Sequence, residues 1–305
     1  MVFFRKQDGL DNDLQKKLAQ RLGELSGKPS TSKLHIHPVS NSGRTLGGKD
    51  DEISVISSEQ AKKLYAERFV NAKDKKQSSK EGWHSDITFE PVPSDYAILR
   101  LTELPKTGGD TLWASGYEVY DRLSPAYQKF LEGLTATYAQ PIFNESAEKN
   151  NFQLYSAERG APENVGTELK AIHPVIRTNP VTGWKSVYAV GHHAKRINEV
   201  TEAESDHLLK WFVQLIVESE LPCKLVFHKN ADQIVPDHDF QVRNRWANPN
   251  DLAIWDNRSV YHTATYDYDG PRTGQRAVSL GERPYLDPQS VGRREALAQE
   301  TPVSS

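Results

Sequence analysis

His84 and Asp86 stand two residues apart in Trp83-His84-Ser85-Asp86. In an extended segment residues i and i+2 project from one face, so an imidazole and a carboxylate at that spacing can meet the same ion. With ten histidines and 41 acidic residues in 305, about one His-x-acid triplet arises by chance. The pair therefore carries weight only with a third ligand. His262 is the candidate, at the end of Trp255-Asp256-Asn257-Arg258-Ser259-Val260-Tyr261-His262. Two histidines and one carboxylate make a facial triad that leaves three coordination positions open on Fe(II); a zinc hydrolase could use the same three ligands. Downstream, Arg272 and Arg276 are four apart in what reads as a strand, a spacing that puts both guanidiniums on one face. Each can grip an oxyanion through its planar fork. The pattern implies two anionic ligands, a co-substrate and a substrate.

The elements that must position these groups follow from periodicity. Met1–Arg5 reads as a strand, then Asn12 or Asp13 caps a helix carrying Leu14, Leu18, Leu22 and Leu25. Leu34-His35-Ile36-His37-Pro38 alternates, with both histidines on one strand face. Ile53–Ile56, Ile87–Phe89 and Tyr96–Leu101 read as strands, and residues 71–82 as a polar loop. Gly108-Gly109-Asp110 is a turn leading into Thr111-Leu112-Trp113, and a helix is expected from about Gly116 to Leu134. Val187–Val190 is a strand. Thr201 and Glu204 form a capping box before a helix with Leu208, Phe212, Leu215 and Ile216 inward. Phe240–Trp246, Leu252–Trp255 and Ala277–Leu280 complete the strands, and Asp256 with Arg258 reads as a structural ion pair. The expectation is a mainly β chain with an antiparallel core, flanking helices and one domain over residues 1–305.

Composition sets the remaining bounds. Lys and Arg total 38 against 41 Asp and Glu, a net charge of -3. A protein that holds nucleic acid through phosphates is normally basic, so no nucleic-acid partner is expected. The one cysteine, Cys223, can form neither an internal disulfide nor a thiolate zinc site. No run of 18 apolar residues and no leader pattern is visible, so the expectation is a cytoplasmic protein without a membrane partner.

In combination, His84-x-Asp86, Gly108-Gly109-Asp110-Thr111-Leu112-Trp113, Trp255-Asp256-Asn257-Arg258, His262, Arg272 and Arg276 resemble the TauD/TfdA family of Fe(II)- and 2-oxoglutarate-dependent dioxygenases, and most of all its fungal sulfonate (taurine) dioxygenases. The likeness runs from Val2 to about Arg283. It implies a double-stranded β-helix (jelly roll, cupin-like). It implies Fe(II) on His84, Asp86 and His262, with 2-oxoglutarate and O2 as co-substrates. Thr111 and Arg272 match the pair holding the distal carboxylate of 2-oxoglutarate. Arg276 matches the arginine that binds the substrate sulfonate, and His37 the histidine that assists it. The implied reaction hydroxylates the carbon next to sulfur and releases sulfite and an aldehyde, with succinate and CO2. The same cofactors could instead act on an alkyl sulfate, an aryloxy acid, or an amino or carboxylic acid. A non-catalytic jelly-roll module is the reading from another class. Relatives are often dimers or tetramers, so a homo-oligomer is possible on this resemblance.

The sequence departs from the family pattern around the substrate. A tyrosine three residues after the position of His37 is Ser40, an asparagine four before the first iron ligand is Lys80, and an aromatic lining residue is His193. A lysine there would repel an ammonium, so an anionic or hydroxylated small acid is expected rather than taurine. Family members also usually carry further residues ahead of the strand that begins here at Met1, and keep a short connection where Leu221–Pro236 stands. A shortened front and an internal insertion are expected, with Met1–Arg5 left as an unpaired edge.

Overall fold

Strand alternation and one long amphipathic helix account for the architecture. The structure, a computed structural model, describes residues 1–41, 43, 49–64, 82–217 and 241–300. The expected loop over 71–81, Lys80, Cys223 and the Leu221–Pro236 stretch lie outside the described residues.

The large sheet contains β1 (Val2–Phe4), β2 (Ile53–Ser57), β3 (Ser94–Glu103), β11 (Asp251–Asp256) and β13 (Thr273–Leu280) in the order β1-β11-β3-β13-β2. Facing it are β4 (Thr111–Ser115), β10 (Gln241–Asn244) and β12 (Val260–Ala264) in the order β10-β4-β12. All these pairings are antiparallel, and together they form the jelly roll. Central strand β3 shows why the core sits where it does. Ala97, Leu99 and Leu101 point between the sheets with Trp113, Trp255 and Val278. Ile98 points the other way, into a cluster with Ala19 and Leu252. That outer face is covered by α1 (Asn12–Leu25). Gln15 of α1 is fully buried and docks the helix by donating to the carbonyls of Ile98 (3.0 Å) and Gln275 (2.9 Å).

The remaining elements pack mostly around a third cluster that includes Tyr120, Leu131, Tyr138, Val187 and Phe212. They are the helices α2 (Ser58–Leu64), α3 (Gly116–Asp121), α4 (Pro125–Leu131), α5 (Pro141–Lys149), α6 (Glu202–Val217) and α7 (Arg293–Glu300), and the strands β5 (Thr135–Ala139), β6 (Lys170–Pro174), β7 (Ile176–Thr178), β8 (Lys185–Val187) and β9 (Ala194–Ile197). The capping box forms as expected: Thr201 N and Oγ1 both donate to Glu204 Oε2, at 2.9 and 2.7 Å. No helix among the described residues is long and apolar enough to cross a membrane.

Several local expectations change. Ile87–Phe89 is a turn rather than a strand, with Ile87 in the left-handed region (φ 49°), although both Ile87 and Phe89 are buried. Apolar character here reports burial and not extension. Residues 34–38 are irregular, with Leu34 alone bridging to Ser279. The helix expected over Gly116–Leu134 is two, because Ser124 caps a new start with Pro125 in its first turn. The cap of α1 is Asp11, whose side chain accepts from Leu14 N at 2.8 Å, and the buried stripe turns away from Leu14 and Leu25. The strand expected over Val187–Val190 ends at Val187.

Strand β1 is paired on one side, in register Val2↔Ile254 and Phe4↔Leu252, and no strand among the described residues takes its other edge. Its end is fixed by Asp251, 1% exposed, which takes Arg5 Nη1 at 2.6 Å and the backbone N–H groups of Lys6, Ala247 and Asn248 at 3.0 Å each. Burial would raise this carboxyl, but Arg5 and the converging N–H groups outweigh it and hold the value at about 2. A depressed carboxyl stabilises the fold above its unfolded value and loses that contribution as pH falls toward its folded value. We expect Asp251→Asn to cost about 2 kcal/mol in urea unfolding at pH 7, with the gap to the parent closing as pH falls toward 2.

Candidate active site

Backbone pairing brings the first and last triad residues together. His84 N donates to His262 O at 3.1 Å and His262 N to His84 O at 2.9 Å, a hydrogen-bonded antiparallel pair whose side chains share a face. Their rings lie 4.4 Å apart. On its other side His84 bridges to Gly191, where the chains approach so closely that a Cβ on Gly191 would lie 1.8 Å from the Trp83 carbonyl oxygen. Gly191 also holds φ 88°, which a side chain would oppose. His84 Nδ1 bonds the Gly82 carbonyl at 2.7 Å, so it carries the hydrogen and leaves Nε2 with a lone pair.

Asp86 follows as the chain turns. Asn257 Oδ1 accepts its backbone N–H at 3.1 Å, and the same oxygen takes Trp255 Nε1 at 2.9 Å. Asp86 Oδ1 is 3.8 Å from both His84 Nε2 and His262 Nε2. The three residues offer ligand atoms that all lie within 4.8 Å of one another. Burial would raise the Asp86 carboxyl, but Arg276, then His262 and His84, hold it below the usual carboxylate range. Burial, reinforced by His84, pushes His262 down to about 3, so its imidazole is neutral. Two imidazoles, one carboxylate and a buried Asp86 Oδ2 without a hydrogen-bond partner suit a divalent cation of the Fe(II) type.

Two guanidiniums, the candidate anion-binding groups, accompany the triad. Arg272 is buried, donating Nε to the Gly109 carbonyl at 2.9 Å and Nη2 to Thr111 Oγ1 at 3.2 Å. It forms no ion pair among the described residues, and burial lowers its pKa. Thr111 Oγ1 also accepts from Trp246 Nε1 at 3.0 Å. With both lone pairs taken by N–H donors, the hydroxyl hydrogen is left to donate outward. The second group is Arg276, whose Nη1 lies 2.5 Å from Asp86 Oδ1 while its Nε is buried without a partner. His37 stands in the same electrostatic field, pushed well below its usual value by burial and then by Arg276. Its Nδ1 accepts the N–H groups of Val39 (3.0 Å) and Ser40 (2.9 Å), so its hydrogen must sit on Nε2.

The other buried histidines near the site have structural partners. His35 faces Glu90, which Arg159 grips with Nε at 2.5 Å and Nη2 at 2.9 Å. His193 pairs with Thr88 Oγ1 at 3.0 Å and lies 5.7 Å from the His84 ring. Asp256 and Arg258 form the expected ion pair, at 2.8 Å. Sequence reasoning overlooked Trp246 and Asn257, whose hydrogen bonds orient Thr111 and Asp86. Asn257 was visible only as a member of the Trp255-Asp256-Asn257-Arg258 motif, and Trp246 only as the last residue of the expected Phe240–Trp246 strand.

The sequence model of the family described as taurine catabolism dioxygenase TauD, TfdA family matches residues 1–278. The chain is 52% identical over 308 residues to the alpha-ketoglutarate-dependent dioxygenase btcD of Neocamarosporium betae, covering 97% of this chain and 82% of that protein. It is 32% identical over 257 residues to an alpha-ketoglutarate-dependent sulfonate dioxygenase of Saccharomyces cerevisiae, covering 84% of this chain and 53% of that protein. A taurine dioxygenase structure from Burkholderia xenovorans aligns with TM-score 0.56 and 25% identity, over 86% of this chain and 71% of that one.

Titration with Mn(II) as an Fe(II) surrogate should give one site in the parent. Asp86→Asn and His262→Ala should each weaken it roughly a hundredfold by calorimetry, with the fold retained by circular dichroism. Unchanged binding in either variant would exclude the triad.

Proposed function

The chain belongs to the taurine catabolism dioxygenase TauD, TfdA family, and from that premise we propose that it hydroxylates a small organosulfonate at the carbon next to sulfur. Its class is established by the family and by relatives named alpha-ketoglutarate-dependent dioxygenases: it is a 2-oxoglutarate-dependent non-haem iron dioxygenase using Fe(II), 2-oxoglutarate and O2. The non-catalytic and zinc-hydrolase readings are thereby set aside.

Bound Fe(II) and 2-oxoglutarate supply the oxidation, in which 2-oxoglutarate and O2 yield succinate and CO2 and one oxygen atom enters the substrate C–H bond. The chain holds and orients. His84, Asp86 and His262 would hold the metal from one side, leaving the opposite positions for ligands. Arg272 and the outward hydroxyl hydrogen of Thr111 would hold the distal carboxylate of 2-oxoglutarate, since a buried guanidinium without an ion pair and a pre-aimed donor complement a carboxylate. Arg276 and the His37 Nε2–H would hold the sulfonate, and this pair carries the proposal. An ammonium offers Arg276 no acceptor and a neutral alcohol a single oxygen without charge, whereas a sulfonate offers three acceptor oxygens and a negative charge.

Charge supports one negative group on the substrate. Among the charged groups that would touch the iron or a ligand, one carboxylate, Asp86, stands against two guanidiniums, Arg272 and Arg276. An Fe(II) dication and a 2-oxoglutarate dianion cancel, and one positive charge remains for a monoanion. A 1-hydroxysulfonate formed there would expel sulfite and leave an aldehyde. We propose a sulfonate without an ammonium group. His193, which the family resemblance matches to an aromatic lining residue, is a buried polar side chain tied to Thr88.

A turnover panel of alkyl sulfonates, taurine, alkyl sulfates, aryloxy acids and amino acids tests the proposal, with succinate, sulfite and sulfate all measured. We expect sulfite and succinate in equal amounts from an ammonium-free sulfonate, and Arg276→Met to raise the KM for that substrate roughly a hundredfold. Sulfate release, or hydroxylation without sulfite, would reassign the substrate. Taurine as by far the best substrate would reject the ammonium-free reading.

A further inference from the structure

Arg272 carries no ion pair among the described residues, although the charge of Asp110 reaches it and Asp267 is tied to the loop that holds it. Asp110 immediately precedes Thr111, and its charge reaches Arg272. Asp267 lies five residues before Arg272 and is tied to Gly109, the residue whose carbonyl holds the Arg272 Nε. Both carboxylates are turned toward Arg243 instead. Arg243 Nε meets Asp110 Oδ2 at 2.6 Å, and its Nη2 lies 3.9 Å from Asp267 Oδ2. Asp267 Oδ1 takes the Gly109 N–H at 3.0 Å.

The loop geometry permits this. Gly108 and Gly109 both adopt left-handed backbone, φ 71° and 72°. A Cβ on Gly108 would lie 2.6 Å from Asp267 Oδ1 and 2.7 Å from the Asp267 carbonyl oxygen, so the approach is open only to glycine. One residue thus links the two functions: Asp267 accepts the N–H of Gly109, and the Gly109 carbonyl accepts from Arg272.

We propose that Arg243 is a positioning residue for the co-substrate, clasping Asp110 and Asp267 so that Arg272 stays an uncompensated cation able to bind the distal carboxylate of 2-oxoglutarate. This rests on the reading of Arg272 and Thr111 as the 2-oxoglutarate anchor. Without the Arg243 charge, two carboxylates beside the subsite oppose an incoming dianion and compete for Arg272. Arg243 is 39% exposed at its side chain, so solvent screens part of the effect.

Anaerobic calorimetric titration of 2-oxoglutarate into the Mn(II)-loaded full chain measures this without turnover. Arg243→Met should weaken binding roughly tenfold, and Arg243→Lys, which keeps the charge and loses the fork, distinctly less. The double variant Arg243→Met/Asp267→Asn should recover most of the affinity, because the substituted amide is isosteric with the carboxylate and can still accept from Gly109 while removing one opposing charge. Added salt should narrow the gap between Arg243→Met and the parent. Parent-like affinity in Arg243→Met, or a double variant no tighter than Arg243→Met, would overturn the proposal in favour of a packing role. If Arg243→Met does not fold, Arg243→Lys decides: a loss equal to that of Arg243→Gln would show that charge is irrelevant and overturn it. Arg272→Met is the control for the underlying anchor. Unchanged 2-oxoglutarate affinity there would remove the anchor reading itself, and the clasp with it.

Discussion

The reciprocal backbone hydrogen bonds between His84 and His262 are the constraint on which the site depends. They join the segment carrying Asp86 to β12, and β12 is itself in register with β4 as His262↔Trp113 and Ala264↔Thr111. One ladder therefore sets the spacing between the candidate metal ligands and the candidate 2-oxoglutarate anchor. Side chains alternate between faces along a strand, so a slip of one residue would turn His262 away from Asp86. Packing resists that slip. Trp255 lies 4.9 Å from the His262 ring and 5.8 Å from Trp113, and both tryptophans are buried.

Electrostatics is arranged on that frame. The buried histidines next to the charges, His37 and His262, are neutral, and the buried carboxylate Asp86 is ionised beside Arg276. A second buried carboxylate, Glu90, is gripped by Arg159 and faced by His35, which tethers the turn after Asp86 to the segment leading into His37. Arg272 is the exception, a buried guanidinium that meets only a carbonyl and a hydroxyl in the contacts that orient it. Burying a cation without a counter-charge is costly. In the proposed role as co-substrate anchor that cost has a use, because an incoming carboxylate would recover it.

Long periodic elements were legible, and short irregular ones were not. Strands β3, β11 and β13 and the capped helix α6 read correctly because their alternation or capping chemistry is local. Ile87–Phe89 misled because a buried turn and a buried strand share the same apolar composition. The break between α3 and α4 was written in Ser124-Pro125, yet the apolar residues on either side suggested continuity. At the site, the ligand types, their order and the even spacing of Arg272 and Arg276 were visible in the chain. The hydrogen bonds of Trp246 and Asn257 were not, since each joins residues far apart in sequence.

The chain's own residues define the chemistry: two imidazoles, a carboxylate and two guanidiniums, in an order that matches one family of dioxygenases. Which of the ten histidines meet a metal, and in which protonation state, is a property of the folded molecule. His37 became a neutral Nε2–H donor because the turn at Val39 and Ser40 aims two N–H groups at its Nδ1. Arg272 kept its charge unpaired because Arg243, on a strand next to β4, draws the neighbouring carboxylates away. Residue type fixes what a side chain can do. Desolvation and non-local hydrogen bonds fix which of those states it occupies, and both exist only once the sheets have closed.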